Sequence, residues 1–236
     1  MFVLGVMPAR GGSKQIPAKN LRHLCGKPLI AYTIESALSN DRLDDFCVST
    51  DSEFIGAISE SLGVQHVIDR PSEHASDTAH SGGAVRHAVL TYEEKTGRKV
   101  DAVVNLFATY PLRTNTEIIG AIDAFITNQP ALSLTTVHEI DPRTHYYLCR
   151  LDGPHLSPLM GEWPPYPNRQ DYEPLYEING VVEICARDHL VETGTVRDAK
   201  PLYHVISTDH ILDINHMGDW QQAEVLMASK KANTGS

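Results

Sequence analysis

The chain has 236 residues, 42% of them hydrophobic and 21% charged, which is typical of a globular protein that buries a sizeable core. No apolar run approaches the roughly 20 residues that span a bilayer, and a net charge of −10 argues against nucleic-acid or anionic-membrane partners. The four cysteines form no CxxC pair and the twelve histidines no HExxH motif, which favours a cytoplasmic protein with buried thiols and no zinc site.

Strand-like and helix-like segments alternate along the first part of the chain. The predicted strands cover residues 2–7, 45–50, 64–68, 102–107 and 131–137, and the first is too short and lacks the basic flank of a signal peptide. The predicted helices cover 28–38 and 53–62 and begin after Asp77 and after Arg113. This order predicts an α/β fold with a mostly parallel sheet flanked by helices, whose ligands bind at the carboxyl ends of the strands.

Residues 139–180 differ from the rest of the chain. They are rich in proline and aromatic residues and show no clean periodicity, so they predict an irregular loop used for function or as an interface. Regular structure is expected to resume with a strand at 180–185 and to end with a helix at 217–227. We expect one domain over residues 1–229, with a flexible tail at 230–236.

A glycine pair follows the first predicted strand. Gly11 and Gly12 would let backbone N–H groups approach a phosphate chain, and Arg10, Lys14 and Lys19 would supply the positive charge. Residues 1–34 contain five basic residues and no acidic one, although the whole protein is acidic. The spacing is neither a Walker A loop nor a GxGxxG loop. A glycine-rich turn with solvated lysines is the alternative interpretation.

A polar segment follows the third predicted strand, over residues 70–81. It would present Arg70 and Ser81 at the carboxyl edge of the sheet, with Asp77 as the cap of the next helix. By itself the segment is explained equally well as a capped helix start.

Two oxygen-bearing side chains, Asp213 and Asn215, precede the last predicted helix. On an extended segment they point to one side, which suits a hard metal ion such as Mg²⁺. An N-cap for the final helix is the alternative.

Taken together, these motifs resemble the acylneuraminate cytidylyltransferases, the CMP-sialic acid synthetase family. The resemblance runs from Met7 to about Leu226, and its most specific part is the signature over residues 9–20. Further matches follow in order at 48–51, 70–71 with 75–78, 111–114 and 179–180. The resemblance implies a Rossmann-like nucleotidyltransferase fold, a protruding dimerisation arm and a homodimer. It also implies a Mg²⁺-dependent attack of a sugar acid's anomeric hydroxyl on the α-phosphate of CTP, which gives CMP-sugar and pyrophosphate.

The resemblance also implies the roles of individual residues. The catalytic residues would be Arg10, Lys19 and Asp213, and the metal ligands Asp213 and Asn215. The nucleotide would be held by Arg10, Gly11, Gly12, Ser13, Lys14, Asn20, Arg70, Asp77 and Ser81. The sugar would be held by Phe107, Thr109, Tyr110, Arg113, Glu177 and Asn179. Asp213 or a metal-bound water would accept the sugar's proton.

Several positions depart from the family pattern. Phe107 stands where sialate enzymes carry glutamine, Glu177 where they carry arginine, and Glu183 where they carry tyrosine. Asn215 replaces the second aspartate of the metal motif, so the metal would bind more weakly or recruit a further acid such as Asp209. The nucleotide half is therefore intact and the sugar half altered, and the segment at 107–110 is closer to the pseudaminic acid branch.

The leading hypothesis is a cytidylyltransferase for a nine-carbon 2-keto sugar acid other than N-acetylneuraminate. An eight-carbon sugar acid or a different nucleotide is a second enzymatic possibility. A third is a catalytically impaired nucleotide-binding homologue, which would bind CTP without turnover.

Overall fold

The computed structural model describes residues 1–74, 81–163, 168 and 171–234. Their strands are β1 (Val3–Pro8), β2 (His23–Leu24), β3 (Lys27–Pro28), β4 (Asp45–Thr50), β5 (His66–Asp69), β6 (Ala102–Asn105), β7 (Ser133–Ile140), β8 (Cys149–Asp152), β9 (His155–Pro158), β10 (Leu175–Ala186) and β11 (Leu202–Val205). The α-helices are α1 (Leu29–Leu38), α2 (Glu53–Ser61), α3 (Ser81–Thr96), α4 (Asn115–Thr127), α5 (Pro142–Tyr146), α6 (Arg187–Thr193) and α7 (Met217–Thr234). Two short 3₁₀ helices cover Ser72–His74 and Thr208–His210.

A seven-stranded sheet organises these elements, in the order β11-β7-β10-β6-β1-β4-β5. The four pairs β6–β1, β1–β4, β4–β5 and β7–β11 are parallel. Only β10 among the described strands of this sheet runs against its neighbours, β6 and β7. The prediction of an α/β fold with a mostly parallel sheet is confirmed, and β10 makes the sheet mixed.

Local sequence signals explain where several helices begin. The hydroxyl of Ser52 accepts the Ile55 N–H and caps α2, as expected of serine before a helix. Thr114 and Glu117 form a capping box at α4, in which the Thr114 N–H donates to the glutamate carboxylate at 2.7 Å. These caps start both helices directly after loops at the carboxyl edge of the sheet.

Three apolar clusters hold the fold together. The first two contain the side chains of the central strands with those of the helices that flank them, for example Ile34 and Phe125 in one and Val89 and Leu190 in the other. The third joins distant parts of the chain: Ile16, Leu24, Leu29, Leu112, Leu212, Ile214, Trp220, Ala223 and Met227. Because that cluster packs residues 16–29 against residues 212–227, it brings the glycine loop to the Asp213 segment.

The segment 139–180 is more regular than its sequence predicts. It contains α5, the β8–β9 hairpin and the first part of β10, which begins at Leu175 and not at 180. The hairpin turns at Gly153, whose φ of +54° is a conformation that glycine adopts without strain. The prediction of an irregular loop is therefore wrong for these parts, because an exposed hairpin needs local turn geometry and not an apolar stripe.

Other differences concern the ends of elements and single side chains. α7 continues past the predicted end at residue 227 to Thr234, and α6 and β11 were not predicted. Cys47 and Cys185 are buried as expected, whereas Cys149 is exposed on β8. None of the helices in the described part of the chain combines the length and apolarity needed to cross a membrane.

Candidate active site

A cavity of about 260 Å³ opens where the loops after β1, β5 and β6 meet the start of α3. Its position agrees with the rule that α/β sheets bind ligands beyond the carboxyl ends of their strands. The lining residues are Pro8, Arg10, Gly12, Ser13, Lys19, Asn20, Arg70, His74, Ser81, Ala84, Phe107, Ala108 and Thr109. The structure therefore brings together residues from three separate sequence motifs.

The loop after β1 is held at several points. Ile16 is fully buried in the third cluster, and the Asn20 side chain donates to the Arg10 carbonyl at 2.9 Å. These contacts turn the loop back over the end of the strand. The Asn20 amide thus shapes the loop while its residue borders the cavity.

The two glycines of the loop differ in their surroundings. The Gly11 N–H donates to Asp51 Oδ1 at 2.8 Å, and a Cβ at Gly11 would lie 2.9 Å from the Cβ of Ser52. Gly12 lines the cavity, and among the described residues nothing lies within 4 Å of a Cβ placed there. The missing side chain of Gly11 thus allows the loop to pack on residues 51–52. The missing side chain of Gly12 leaves more room in the cavity.

Arg70 lies behind the cavity and is only 7% exposed. Its guanidinium donates to the Ser49 carbonyl at 2.6 Å and to the Ser49 hydroxyl at 3.3 Å. Burial lowers the pKa of Arg70, and the nearby Asp51 carboxylate opposes that shift. The side chain is therefore a fixed cation at the floor of the cavity.

Lys19 connects the glycine loop to the segment before α7. Its Nζ donates to the carbonyl of Ile214 at 2.7 Å. Ile214 is the residue between Asp213 and Asn215, so this bond holds the ammonium against the backbone of that segment. Burial lowers the pKa of Lys19, while the Asp213 carboxylate raises it. A charge held in this way is well suited to an anionic ligand in the cavity.

Residues 213–216, the Asp213 turn, lie between the 3₁₀ helix Thr208–His210 and α7, have no regular secondary structure and bend at His216. The Ile214 N–H donates to the Thr109 carbonyl at 2.9 Å, and the Asn215 N–H donates to Asp219 Oδ2 at 2.7 Å. The Asn215 side-chain amide donates to Asp213 Oδ2 at 2.9 Å. Asp213 Oδ1 is buried and meets no well-formed hydrogen bond among the described residues, although the Tyr110 hydroxyl, which donates to the Asn179 carbonyl, lies close enough to interact with the Asp213 carboxylate.

That free carboxylate oxygen fits a hard divalent cation, which prefers oxygen ligands. The described residues contain no group of three or more histidine, cysteine, aspartate or glutamate side chains able to hold a metal by themselves. A metal here would therefore take Asp213 from the protein and the rest of its ligands from substrate and water. Asp209, the acid suggested as an additional ligand, lies in the 3₁₀ helix Thr208–His210 and is exposed.

The residues predicted to bind the sugar separate into three places. Phe107 and Thr109 border the cavity, next to residues that the sequence predicts to bind the nucleotide. Tyr110 is buried, and its hydroxyl donates to the Asn179 carbonyl, so it fixes the loop to β10. Burial, and then the Asp213 and Glu183 carboxylates, raise the pKa of Tyr110.

Arg113 is not one of the described residues that line the cavity. It is 6% exposed and donates to the Val181 carbonyl at 2.8 Å, the Thr33 hydroxyl at 2.7 Å and the Phe107 carbonyl at 3.2 Å. Burial lowers its pKa to about 10. Arg113 therefore holds the 107–110 loop through the Phe107 carbonyl and fixes it to α1 and β10. The predicted contact of Arg113 with the sugar is not what these bonds provide.

The remaining predicted sugar residues lie along β10. Glu177 is exposed and its carboxylate lies 3.5 Å from His138 Nε2 on β7. Asn179 Oδ1 accepts from the Thr136 hydroxyl at 2.6 Å and from the Val181 N–H at 3.1 Å. These bonds hold the bulge that separates the two paired parts of β10.

Four other residues are predicted to bind the nucleotide. Ser13 and Ser81 border the cavity as expected. Lys14 is exposed and is not among the described residues that line it. Asp77 lies outside the described residues.

Sequence reasoning missed two residues of this site. His74 lines the cavity, and its ring centroid lies 5.6 Å from that of His87 on α3. Asp219 accepts the N–H groups of Asn215 and His216 and so fixes the turn before α7. An aspartate in the first turn of a helix was the available signal for Asp219, whereas nothing local marks His74.

Comparison with known families gives a match to the cytidylyltransferase family model over residues 4–149. The chain belongs to the cytidylyltransferase family. The matched region contains the glycine loop, Arg70 and the 107–113 loop, but not Asp213, which reaches the site only through tertiary packing. The family assignment thus agrees with the cavity and with the sequence resemblance.

Similar proteins are known across nearly the whole chain. A CMP-N,N'-diacetyllegionaminic acid synthase of Legionella pneumophila is 32% identical over 96% of this chain and 97% of its own length. A pseudaminic acid cytidylyltransferase of Campylobacter jejuni is 30% identical over 94% of this chain and 95% of its own length. An N-acylneuraminate cytidylyltransferase of Escherichia coli is 30% identical over 97% of this chain, which spans about half, 52%, of that protein.

The fold also has solved counterparts. A CMP:2-keto-3-deoxy-manno-octonic acid synthetase, solved in complex with CTP, superimposes with a TM-score of 0.72 over 98% of this chain and 100% of its own. The sequence identity is 17%, so that likeness concerns the fold alone. This cytidylyltransferase therefore shares its architecture with enzymes whose sequences have diverged far from it.

Proposed function

We propose that this cytidylyltransferase couples CTP to a sialic-acid-like, nine-carbon 2-keto sugar acid and releases pyrophosphate. The observation that carries the proposal is the hydrogen bond from Lys19 to the Ile214 carbonyl, which joins the phosphate-binding loop to the Asp213 turn. A triphosphate in the cavity would thus lie beside a fixed cation that in turn contacts the segment carrying Asp213. Phosphoryl-type transfer needs that combination of positioning and charge stabilisation.

The residues at the cavity have separable tasks in this reaction. Arg10, Lys19 and Ser13 would bind the triphosphate, with Lys19 stabilising the charge that grows on the departing pyrophosphate. Gly12 would let the phosphates approach the backbone. Arg70, Asn20 and Ser81 would hold the nucleoside end.

Asp213 would be the protein residue that holds Mg²⁺ for the attack of the sugar hydroxyl on the α-phosphate, because its Oδ1 meets no well-formed hydrogen bond among the described residues. When bound, the metal supplies charge neutralisation on the phosphate oxygens.

The acceptor class rests on the altered residues next to an intact nucleotide site. Phe107 gives the cavity an aromatic wall where an amide was expected, and Glu177 adds negative charge on β10. A carboxylate-bearing sugar would not pair with Glu177, so its acid group would face Lys19 or Arg10 instead. The named substrates of the Legionella and Campylobacter relatives, legionaminic and pseudaminic acids, belong to this nine-carbon class.

We also propose that the segment 139–180 is the arm of a homodimer. Large apolar side chains are exposed along it, including Leu151, Leu156, Met160, Trp163 and Ile178. Exposed apolar surface of this kind marks a protein interface. We also propose a cytoplasmic location, because all four cysteines are free.

The direct test is incubation with CTP, Mg²⁺ and a panel of sugar acids, with pyrophosphate release as the signal. The panel contains pseudaminic, legionaminic and N-acetylneuraminic acids and an eight-carbon 2-keto acid. We expect release with a nine-carbon acid other than N-acetylneuraminate. Thermal shifts with CTP, GTP, ATP and UTP identify the nucleotide independently.

An Asp213→Asn variant is the control, since it keeps the shape of the side chain and removes the carboxylate. Activity with the eight-carbon acid only would reassign the substrate class. CTP binding without release for any acid, in a folded protein, would show a catalytically impaired homologue.

A further inference from the structure

Asn215 stands at the position where the sequence predicts the second metal ligand, yet its side chain does something else. Its amide nitrogen donates to Asp213 Oδ2 at 2.9 Å. An atom this close to a carboxylate oxygen must be a donor, because two acceptors at that distance would repel each other. The amide group is therefore turned toward Asp213 with its NH₂ end.

The rest of the turn keeps this arrangement rigid. The Asn215 backbone N–H is held by Asp219 at 2.7 Å, and the neighbouring Ile214 is fully buried. The Ile214 carbonyl is held by Lys19 and its N–H by the Thr109 carbonyl. Asn215 thus presents its amide to Asp213 from a backbone that is fixed on both sides.

The two oxygens of Asp213 are consequently not equivalent. Oδ2 accepts from the Asn215 amide, whereas Oδ1 is buried and meets no well-formed hydrogen bond among the described residues, the nearby Tyr110 hydroxyl being given to the Asn179 carbonyl. A hydrogen bond to one oxygen of a carboxylate fixes the direction of the other oxygen. Partners of metal-binding carboxylates orient their ligands in this way.

We propose that Asn215 is a positioning residue that aims Asp213 Oδ1, and that it is not itself a metal ligand. This inference rests on the proposed function. Asp213 is then the only carboxylate that the turn offers to a cation. The metal consequently binds this protein together with the nucleotide, as a metal–CTP complex, and not before it.

The first experiment uses the wild-type protein and Mn²⁺ as the probe, followed by electron paramagnetic resonance. Protein alone is expected to leave the signal of free Mn²⁺ unchanged at equimolar concentration. Protein with CTP is expected to give the signal of a protein-bound ion, distinct from that of Mn²⁺–CTP recorded without protein. Binding of Mn²⁺ to the protein without CTP would overturn the proposal, and this result does not depend on any variant.

The second experiment compares Asn215→Ala with wild type. Affinity for Mn²⁺–CTP is expected to fall about tenfold, the usual effect of losing a partner of a metal ligand. Affinity for metal-free CTP in a chelator is expected to stay the same. The number of water molecules on the bound Mn²⁺, counted by spin-echo spectroscopy in D₂O, is also expected to stay the same.

Asn128→Ala is the matched control. Asn128 is an exposed asparagine at the far end of α4, and its amide donates to the Ala124 carbonyl. This variant should change neither CTP affinity nor Mn²⁺–CTP affinity. Melting temperatures of both variants confirm that they are folded.

The possible results separate the inference from the proposed function. One additional water on Mn²⁺ in Asn215→Ala would show that Asn215 is a ligand, and an unchanged Mn²⁺–CTP affinity would show that it has no role. Either result overturns the inference while wild-type CTP binding still supports the proposed function. Failure of the wild-type protein to bind CTP at all would overturn both.

Discussion

The Lys19 ammonium donates a 2.7 Å hydrogen bond to the Ile214 carbonyl, across 195 positions of sequence. This bond places the cation of the phosphate loop against the turn that carries Asp213. The glycine loop and the Asp213 segment, which are far apart in the sequence, therefore form one structural unit. A change in either should disturb the other.

Replacing Lys19 by methionine tests this unit. We expect CTP-dependent pyrophosphate release to fall about 100- to 1,000-fold, as when one preorganised group that stabilises developing charge is removed. The matched control is Lys14→Met, which removes an exposed lysine of the same loop and should change turnover less than about fivefold. Equal losses in both variants would mean that the loop contributes only general positive charge.

The two glycines of the loop are expected to respond differently to alanine. Gly11→Ala should lower the free energy of unfolding by about 1–3 kcal/mol, because the new Cβ overlaps Ser52 at 2.9 Å. Gly12→Ala should leave stability unchanged and weaken CTP binding, because its Cβ points into space needed by phosphates. Chemical denaturation and CTP titration of both variants measure the two effects separately.

Arg113→Met distinguishes support of the loop from contact with sugar. The variant removes the guanidinium donor of the Val181 carbonyl and of the Thr33 hydroxyl, and leaves the Phe107 carbonyl with the Thr33 hydroxyl alone, so we expect a loss of about 3 kcal/mol in unfolding free energy. The measurement is urea denaturation, with Arg42→Met as control because Arg42 makes an exposed ion pair with Asp123. If Arg113→Met is as stable as wild type and raises the KM for the sugar but not for CTP, the predicted contact between Arg113 and the sugar is correct.

His87 makes the stability of the site depend on pH. Burial, and then the neighbouring His74 and Arg70, lower the pKa of His87 below 6.5, so the unfolded chain takes up its proton at a higher pH than the folded protein. The native state is therefore penalised as pH falls below 6.5, and the penalty is absent at pH 7 and above.

We expect the wild-type melting temperature to fall between pH 7 and pH 5, and the fall to be smaller in His87→Gln. Differential scanning calorimetry at both pH values measures the effect. His23→Gln is the control. An identical pH dependence in His87→Gln and wild type would contradict this role of His87.

The sequence indicated most of the nucleotide half of the site. Residues 45–50 were predicted as a strand and form β4, and the polar loops expected after β1 and β6 do meet at one edge of the sheet. These predictions succeed because buried strands and glycine-rich turns have strong local signals. His74 lacked such a signal, since a histidine in a polar segment has the same pattern whether it faces a cavity or solvent.

A sequence motif does not decide toward which neighbours a side chain points. Arg113 stands in a matched motif, and only the packed structure shows that its donors point down toward Thr33 and Val181. Asn215 likewise matched a metal motif by position, and its amide is turned to Asp213. Direction depends on the partners that folding brings within hydrogen-bond distance, and those partners are distant in sequence.

By itself, the sequence determined the α/β class, the family and the loops that line the cavity, because these depend on local periodicity and on short motifs. Only the tertiary structure decided that Lys19 holds the Asp213 turn, that Gly11 and Gly12 serve different purposes, and that one carboxylate oxygen remains free. The physical reason is the third apolar cluster, in which Ile16 and Ile214 are buried together. Its members are apolar residues without special pattern, and their burial brings the two halves of the site into contact.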